Sequence, residues 1–200
     1  MKVTTLDETV VQSIGHAFGY YDYGDEAGGL VNAFPSRDAA AAYIRGYVRT
    51  VFKAGMLYTT GEAGEGYIAY RLPGEKIPLS AWMPLVKGFL GSMRFRELLR
   101  FFRIMSKGGP SLEDRMKKEK KPYIFVGMVC VREPYQGLGY MRKVLDMAFA
   151  EGDRLRLPVI LDTDAMSKCV KYQHLGMELA GTRSFGSYGA LYDLIRYPKA

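Results

Sequence analysis

The chain has 200 residues, of which 48% are hydrophobic and 24% charged, and its formal net charge is +7 at pH 7. This is the composition of an ordinary globular protein long enough to bury one core. It contains no internal repeat or low-complexity tract, and no run approaches the roughly 18 consecutive apolar residues of a membrane span.

The expected arrangement is one domain over residues 1–200, with a helical, basic excursion at 75–120. The opening residues lack the basic-then-apolar order of a signal peptide. Two cysteines, Cys130 and Cys169, do not make a disulfide framework. Both features are those of a chain kept in the reducing cytoplasm. Residues 94–121 hold ten Lys or Arg against four acids, so this one segment carries nearly all the excess positive charge. Such a segment suits a solvated helix face, an anionic ligand, a membrane surface or nucleic acid.

In chain order, residues 9–18 carry apolar side chains at helical spacing and run into an aromatic loop with Tyr20, Tyr21 and Tyr23. Ser36 is placed to cap a second helix that stops at Gly55. Residues 56–60 and 66–71 flank a glycine-rich connection and predict a hairpin. From 78 to 120 the pattern is helical, with Trp82, Leu85, Val86, Phe89 and Leu90 on one face. A further run with Leu98, Leu99, Phe101, Phe102 and Ile104 is broken at Gly108-Gly109-Pro110. Residues 123–131 are apolar enough to predict a strand buried on both faces. A helix over 139–156, a strand over 158–163, a helix over 165–175 ending at Gly176, and strands near 178–185 and 190–197 complete the chain. The order predicts an α/β fold with a mixed sheet.

The turn Gln136-Gly137-Leu138-Gly139-Tyr140-Met141 lies between a buried strand and a helix. Backbone amides of such a turn, together with the helix dipole, attract phosphate. A P-loop is excluded because no Gly-Lys-Ser/Thr closes the turn. A dinucleotide fingerprint would use Gly137 and Gly139 but meets Arg142 at its third glycine, and Asp162 falls within the next strand. A plain strand-to-helix turn is the remaining structural reading.

The stretch Pro134-Tyr135-Gln136-Gly137-Leu138-Gly139 resembles the acetyl-CoA loop of the GCN5-related N-acetyltransferase (GNAT) family, Gln/Arg-x-x-Gly-x-Gly/Ala. Position 141 is Met where that family prefers Gly or Ala. A second stretch, Lys171-Tyr172-Gln173-His174-Leu175-Gly176-Met177, is similar to the family's helix ending Tyr-x-x-Leu-Gly-Phe. The two motifs lie in the family's order and together span residues 123–177; region 75–120 is longer than the family's usual connection.

The resemblance implies a mostly antiparallel mixed sheet flanked by helices, with acetyl-CoA as co-substrate. It implies pantetheine contacts at Val129 and Val131 and a pyrophosphate turn at Gln136, Gly137, Leu138, Gly139, Tyr140 and Met141. It also implies that Tyr172 protonates the departing CoA thiolate, for which a phenol that stays protonated at pH 7 is suited. The reaction would be acetyl transfer to a primary amine, borne by a small molecule or a peptide, with no metal. Arg142 and Lys143, in the first turn of the following helix, are candidates to reach phosphate, with a solvent-facing position as the commoner alternative. The general base is unmarked: Glu133, Asp162 and Asp164 are candidates, and water can serve. Tyr20, Tyr21, Tyr23 and Trp82 are candidates for the acceptor pocket.

Cys130 reads as a core residue, Cys169 with His174 does not make a zinc site, and His16 has no partner in sequence. Two other readings stay open: a non-catalytic acyl-CoA-binding or regulatory module, and a membrane-surface or nucleic-acid binder through 94–121. Nucleic acid is the less expected partner, and a homodimer stays open.

Overall fold

A computed structural model describes residues 1–26 and 29–199 of the chain. Its helices are α1 (Glu8–Gly19), α2 (Arg37–Lys53), α3 (Met83–Ser92), α4 (Phe95–Met105), α5 (Leu112–Lys118), α6 (Tyr140–Leu155) and α7 (Met166–His174). Its strands are β1 (Leu57–Thr59), β2 (Gly66–Arg71), β3 (Ile124–Val131), β4 (Val159–Thr163), β5 (Glu178–Ser184) and β6 (Ala190–Arg196). The strands form one sheet in the order β1-β2-β3-β4-β6-β5, antiparallel at every junction except β3–β4. The fold is the mixed, mostly antiparallel α/β architecture expected from the sequence.

Local signals account for most boundaries. The Ser36 hydroxyl accepts the Ala39 amide at 3.1 Å and starts α2. Asp7 does the same for α1 through the Thr9 amide at 2.7 Å. At the other end of the chain, Gly176 takes φ +98°, the Gly176 amide donates to Gln173 and the Met177 amide to Tyr172. That is a Schellman stop, and it ties the backbone of Tyr172 to the end of α7.

Two layers cover the sheet. On one face α6 and α7 bring Val144, Leu145, Ala148, Cys169 and Tyr172 against Ile68, Ile124, Val126 and Leu161. On the other, α1 and α2 bring Val11, Ile14, Val48 and Val51 against Leu57, Tyr67, Met128 and Cys130. Leu112 and Met116 of α5 pack against Ile160 and Ile195.

The β3–β4 junction departs from regular pairing. Only Ile124↔Val159 and Phe125↔Ile160 are in register, although β3 runs on for six more residues. From Val126 onward the edge of β3 that faces β4 has no strand partner, and the sheet splays into β1-β2-β3 and β4-β6-β5. On its other edge β3 stays paired with β2, but Ala69 faces Met128 while Tyr70 faces Val126. Gly127 is therefore an extra residue, a β-bulge, and it reverses which face the following side chains take. Ile124 and Val126 lie in the α6–α7 core, whereas Met128 and Cys130 lie in the α1–α2 core.

This corrects the expectation of a strand buried on both faces. Phe125, Val129 and Val131 are only half-buried and Gly127 is exposed, because the open wedge lies beside them. The single apolar face expected for Trp82, Leu85, Val86, Phe89 and Leu90 is divided in α3. Leu85 is buried and Phe89 half-buried, while Trp82, Val86 and Leu90 are exposed. In α4, Phe101 and Ile104 turn inward, and Leu99 and Phe102 face out.

A Cβ at Gly127 would collide with the hydroxyl of Tyr47, which α2 lays across the bulge. Gly127→Ala is expected to cost about 1–3 kcal/mol in urea unfolding, and much of that should return in a Tyr47→Phe background. An unchanged midpoint for the single variant would show that the bulge does not require glycine.

Candidate functional site

The splay opens a cavity of about 740 Å³ that passes between β3 and β4. One part is lined by Gln136, Gly137, Gly139, Tyr140, Met141, Lys171 and Tyr172. The part lined from α1 and α2 meets Ala17, Phe18, Tyr21, Tyr43, Ile44 and Tyr47. Val129 and Val131 run along the wall between them.

After β3 the chain makes one 3-10 turn, Glu133–Tyr135, and then enters α6 through two glycines of left-handed conformation, Gly137 at φ +76° and Gly139 at φ +78°. A side chain at either position would find open space but would strain the backbone. The side chain of Gln136 donates to the carbonyl of Val131 at 3.2 Å, which fixes the turn against the end of the strand.

Helix α6 begins without a side-chain cap and without an acid in its first turn, which instead carries Arg142 and Lys143. Its first amides have no acceptor within the helix and sit at the positive end of the dipole. Leu138 is exposed and its side chain does not line the cavity. Met141 turns inward against Leu145 and its neighbours, so its bulk is taken up by the core.

Tyr172 is 8% exposed and its ring belongs to the core. Its hydroxyl has no hydrogen-bond partner among the described residues. Burial, with Asp164 and Cys130 nearby, pushes the phenol well above its ordinary value, so it remains protonated and a donor.

Across the wedge, Asp162 lines the cavity and pairs with Arg183 at 2.5 Å. Arg183 also pairs with the buried Asp193 at 2.9 Å, and Asp193 in turn accepts the Leu112 amide at the start of α5. Removal from water raises the Asp162 carboxyl, and the Arg183 guanidinium opposes the rise.

The loop after α1 closes the rim. The hydroxyl of Tyr23 donates to Asp164 at 2.6 Å, and Lys168 bonds the same carboxylate at 2.9 Å while lying over the ring of Tyr21. Glu26 accepts the amides of Met166 at 2.6 Å and Ser167 at 2.9 Å and so caps α7 from about 140 residues away.

Of the acceptor-pocket candidates, Tyr21 lines the cavity and Tyr23 braces its rim. Tyr20 is exposed, stacked on His16 and bonded to Asp38, and Trp82 lies outside, donating to Ile77. Glu133 is exposed. Cys130 is a buried free thiol whose pKa burial pushes up to about 12, and no metal-binding cluster occurs among the described residues. Sequence reasoning missed Glu26, Tyr43, Tyr47, Arg183 and Asp193. A charged residue such as Asp193 within an apolar strand was a signal that could have found the last pair.

No protein-family model and no curated protein matches the sequence. The similarity is one of structure. A protein described as histone acetyltransferase HPA2 and related acetyltransferase, from Corynebacterium glutamicum, superposes with a TM-score of 0.61 at 14% identity, over 100% of this chain and 96% of that one. Arylalkylamine N-acetyltransferase 2 from Aedes aegypti gives 0.58 at 13% identity, over 98% and 97%. The NatC complex bound to Gag peptide and CoA gives 0.50 at 13%, over 100% and 97%. The splayed sheet, the glycine turn into α6 and the strand order thus make this the fold of the GCN5-related N-acetyltransferases.

Proposed function

We propose that the chain is an N-acetyltransferase that moves an acetyl group from acetyl-CoA to a primary amine. The observation that carries this reading is one continuous line. The unpaired edge of β3 runs from the uncapped start of α6 into a cavity on which the tyrosine hydroxyl opens. An extended, amide-bearing chain ending in a thioester, with an anionic head, fits that line better than any other common co-substrate. One of the proteins of similar fold is a complex with CoA.

Acetyl-CoA, when bound, supplies an activated carbonyl and a sulfur leaving group. The amides of the Gly137–Gly139 turn and the first turn of α6 hold the pyrophosphate, with Arg142 and Lys143 adding positive charge. The free edge of β3 at Val129 receives pantetheine amides. The Val131 carbonyl is engaged by Gln136, so its contact passes through the turn. Tyr172 gives its proton to the sulfur as the carbon–sulfur bond breaks, and solvent restores it. The wall of Tyr43, Tyr47, Phe125 and Tyr21 receives the apolar body of the amine. Asp162 faces the amine: the ammonium first loses one proton to water, the neutral amine attacks the carbonyl, and Asp162 accepts the second proton as the amide forms.

Tyr172→Phe removes the donor and little volume. Its kcat is expected to fall about 100-fold or more with CoA affinity by calorimetry unchanged. Unaltered turnover would remove Tyr172 from the reaction.

Glu26 sets the acceptor rim. Burial opposes ionisation of its carboxyl, but the Ser167 and Met166 amides outweigh it and hold the pKa below 4.5. Its contribution is therefore present above that pH and is lost as pH falls through the lowered value. Glu26→Ala is expected to cost about 1 kcal/mol of stability near pH 7 and to raise the amine KM more than it lowers kcat. The stability difference should shrink toward zero at acid pH, once the carboxyl is protonated in the folded chain as well. An equal difference near pH 7 and at acid pH would contradict the assignment.

A further inference from the structure

We propose that α3 and α4 form a docking face for an anionic lipid bilayer, a role separate from acyl transfer. Each helix exposes one apolar stripe. In α3 it is Met83, Val86 and Leu90; in α4 it is Phe95, Leu99 and Phe102. These are helical spacings, so each set projects from one side of its helix. The side chains are well out in solvent, with Leu90 67% and Phe95 73% exposed, and Leu79, just before α3, is 91% exposed. The two helices are joined through only Met93 and Arg94, and the rings of Phe89 and Phe102 meet at 6.2 Å.

The inward side of α4 is already occupied. Phe101 and Ile104 pack with Phe34, Phe185 and Leu191, so the exposed stripe is a second apolar face. Exposed apolar stripes on two successive helices that touch through Phe89 and Phe102 mark a contact surface.

Charge identifies the occupant. Residues 76–107 hold seven Lys or Arg and one acid, which locates most of the net charge around these apolar side chains. Arg100 bonds to Tyr188, but Lys76, Lys87, Arg94, Arg96, Arg103 and Lys107 make no ion pair among the described residues. A second copy would present the same positive rim and be repelled. A nucleic-acid backbone would satisfy the cations but not bury protruding Leu and Phe. An anionic bilayer satisfies both, taking the apolar side chains into its acyl boundary while phosphates meet the rim. No helix among the described residues is long and apolar enough to cross a membrane, so the contact lies in the interface plane.

The test is flotation of the full chain with phosphatidylcholine vesicles, with and without phosphatidylserine. Binding is expected only when phosphatidylserine is present and should weaken as salt rises. Lys87→Glu with Arg96→Glu and Arg103→Glu is expected to lower partition on the order of 100-fold, each surface cation contributing roughly fivefold. Leu90→Ser with Phe95→Ser should lower it at least about tenfold. Both variants change exposed side chains, so melting temperature and turnover should hold. The proposal is overturned if phosphatidylserine has no effect, or if either variant binds like the parent. It is equally overturned if light scattering shows a dimer that the serine variant dissolves, or if duplex DNA competes fully with the vesicles for the face.

Discussion

The rest of the structure depends on the failure of β3 and β4 to pair beyond their first two residues. Parallel neighbours in one sheet ordinarily satisfy each other's backbone along their whole length, and an open edge buried in a domain leaves amides and carbonyls without partners. Here the bulge at Gly127 lets β3 stay bonded to β2 while the wedge opens on its other side. The sheet thereby becomes two half-sheets held at one end, with a ligand-sized gap between them. Everything with chemical character is attached to the lips of that gap: the glycine turn at the end of β3, Asp162 and Asp164 at the end of β4, and Tyr172 one helix later.

The lips are held from a distance. Arg183 bridges Asp162 to Asp193, and Asp193 also receives the first amide of α5, so one ionic cluster joins three strands and a helix. A cluster of this kind fixes position more than it adds stability, because desolvating its charges offsets much of their attraction. Glu26 works in the same manner at the rim, where a single carboxylate stands in for the missing cap of α7. The Tyr172 hydroxyl has no hydrogen-bond partner among the described residues, which keeps it available.

What the sequence made legible follows the range of the interactions. Ser36, Gly176 and the glycines at 137 and 139 act within a few residues of themselves, and their elements appear where the local pattern places them. The two motif stretches were legible for the same reason: each is one turn and the start or end of one helix. The Gly127 bulge was not, because an unbroken apolar run gives no sign that its facing reverses midway. Nor were Arg183–Asp162 or Glu26–Ser167, whose partners are brought together only by the folded sheet. Helices α3 and α4 are apolar on two sides, so periodicity alone could not say which side the core would take. Helix α2 decided it for α3, and Phe34, Phe185 and Leu191 decided it for α4.

Hydrogen exchange of the full chain with and without CoA tests the central claim, that the open β3 edge and the start of α6 form the cofactor cradle. CoA is expected to slow exchange at the amides of residues 137–142 and along 127–131, and to leave α3 and α4 unchanged. Protection confined to α3–α5, or no change at 127–142 at saturating CoA, would contradict it.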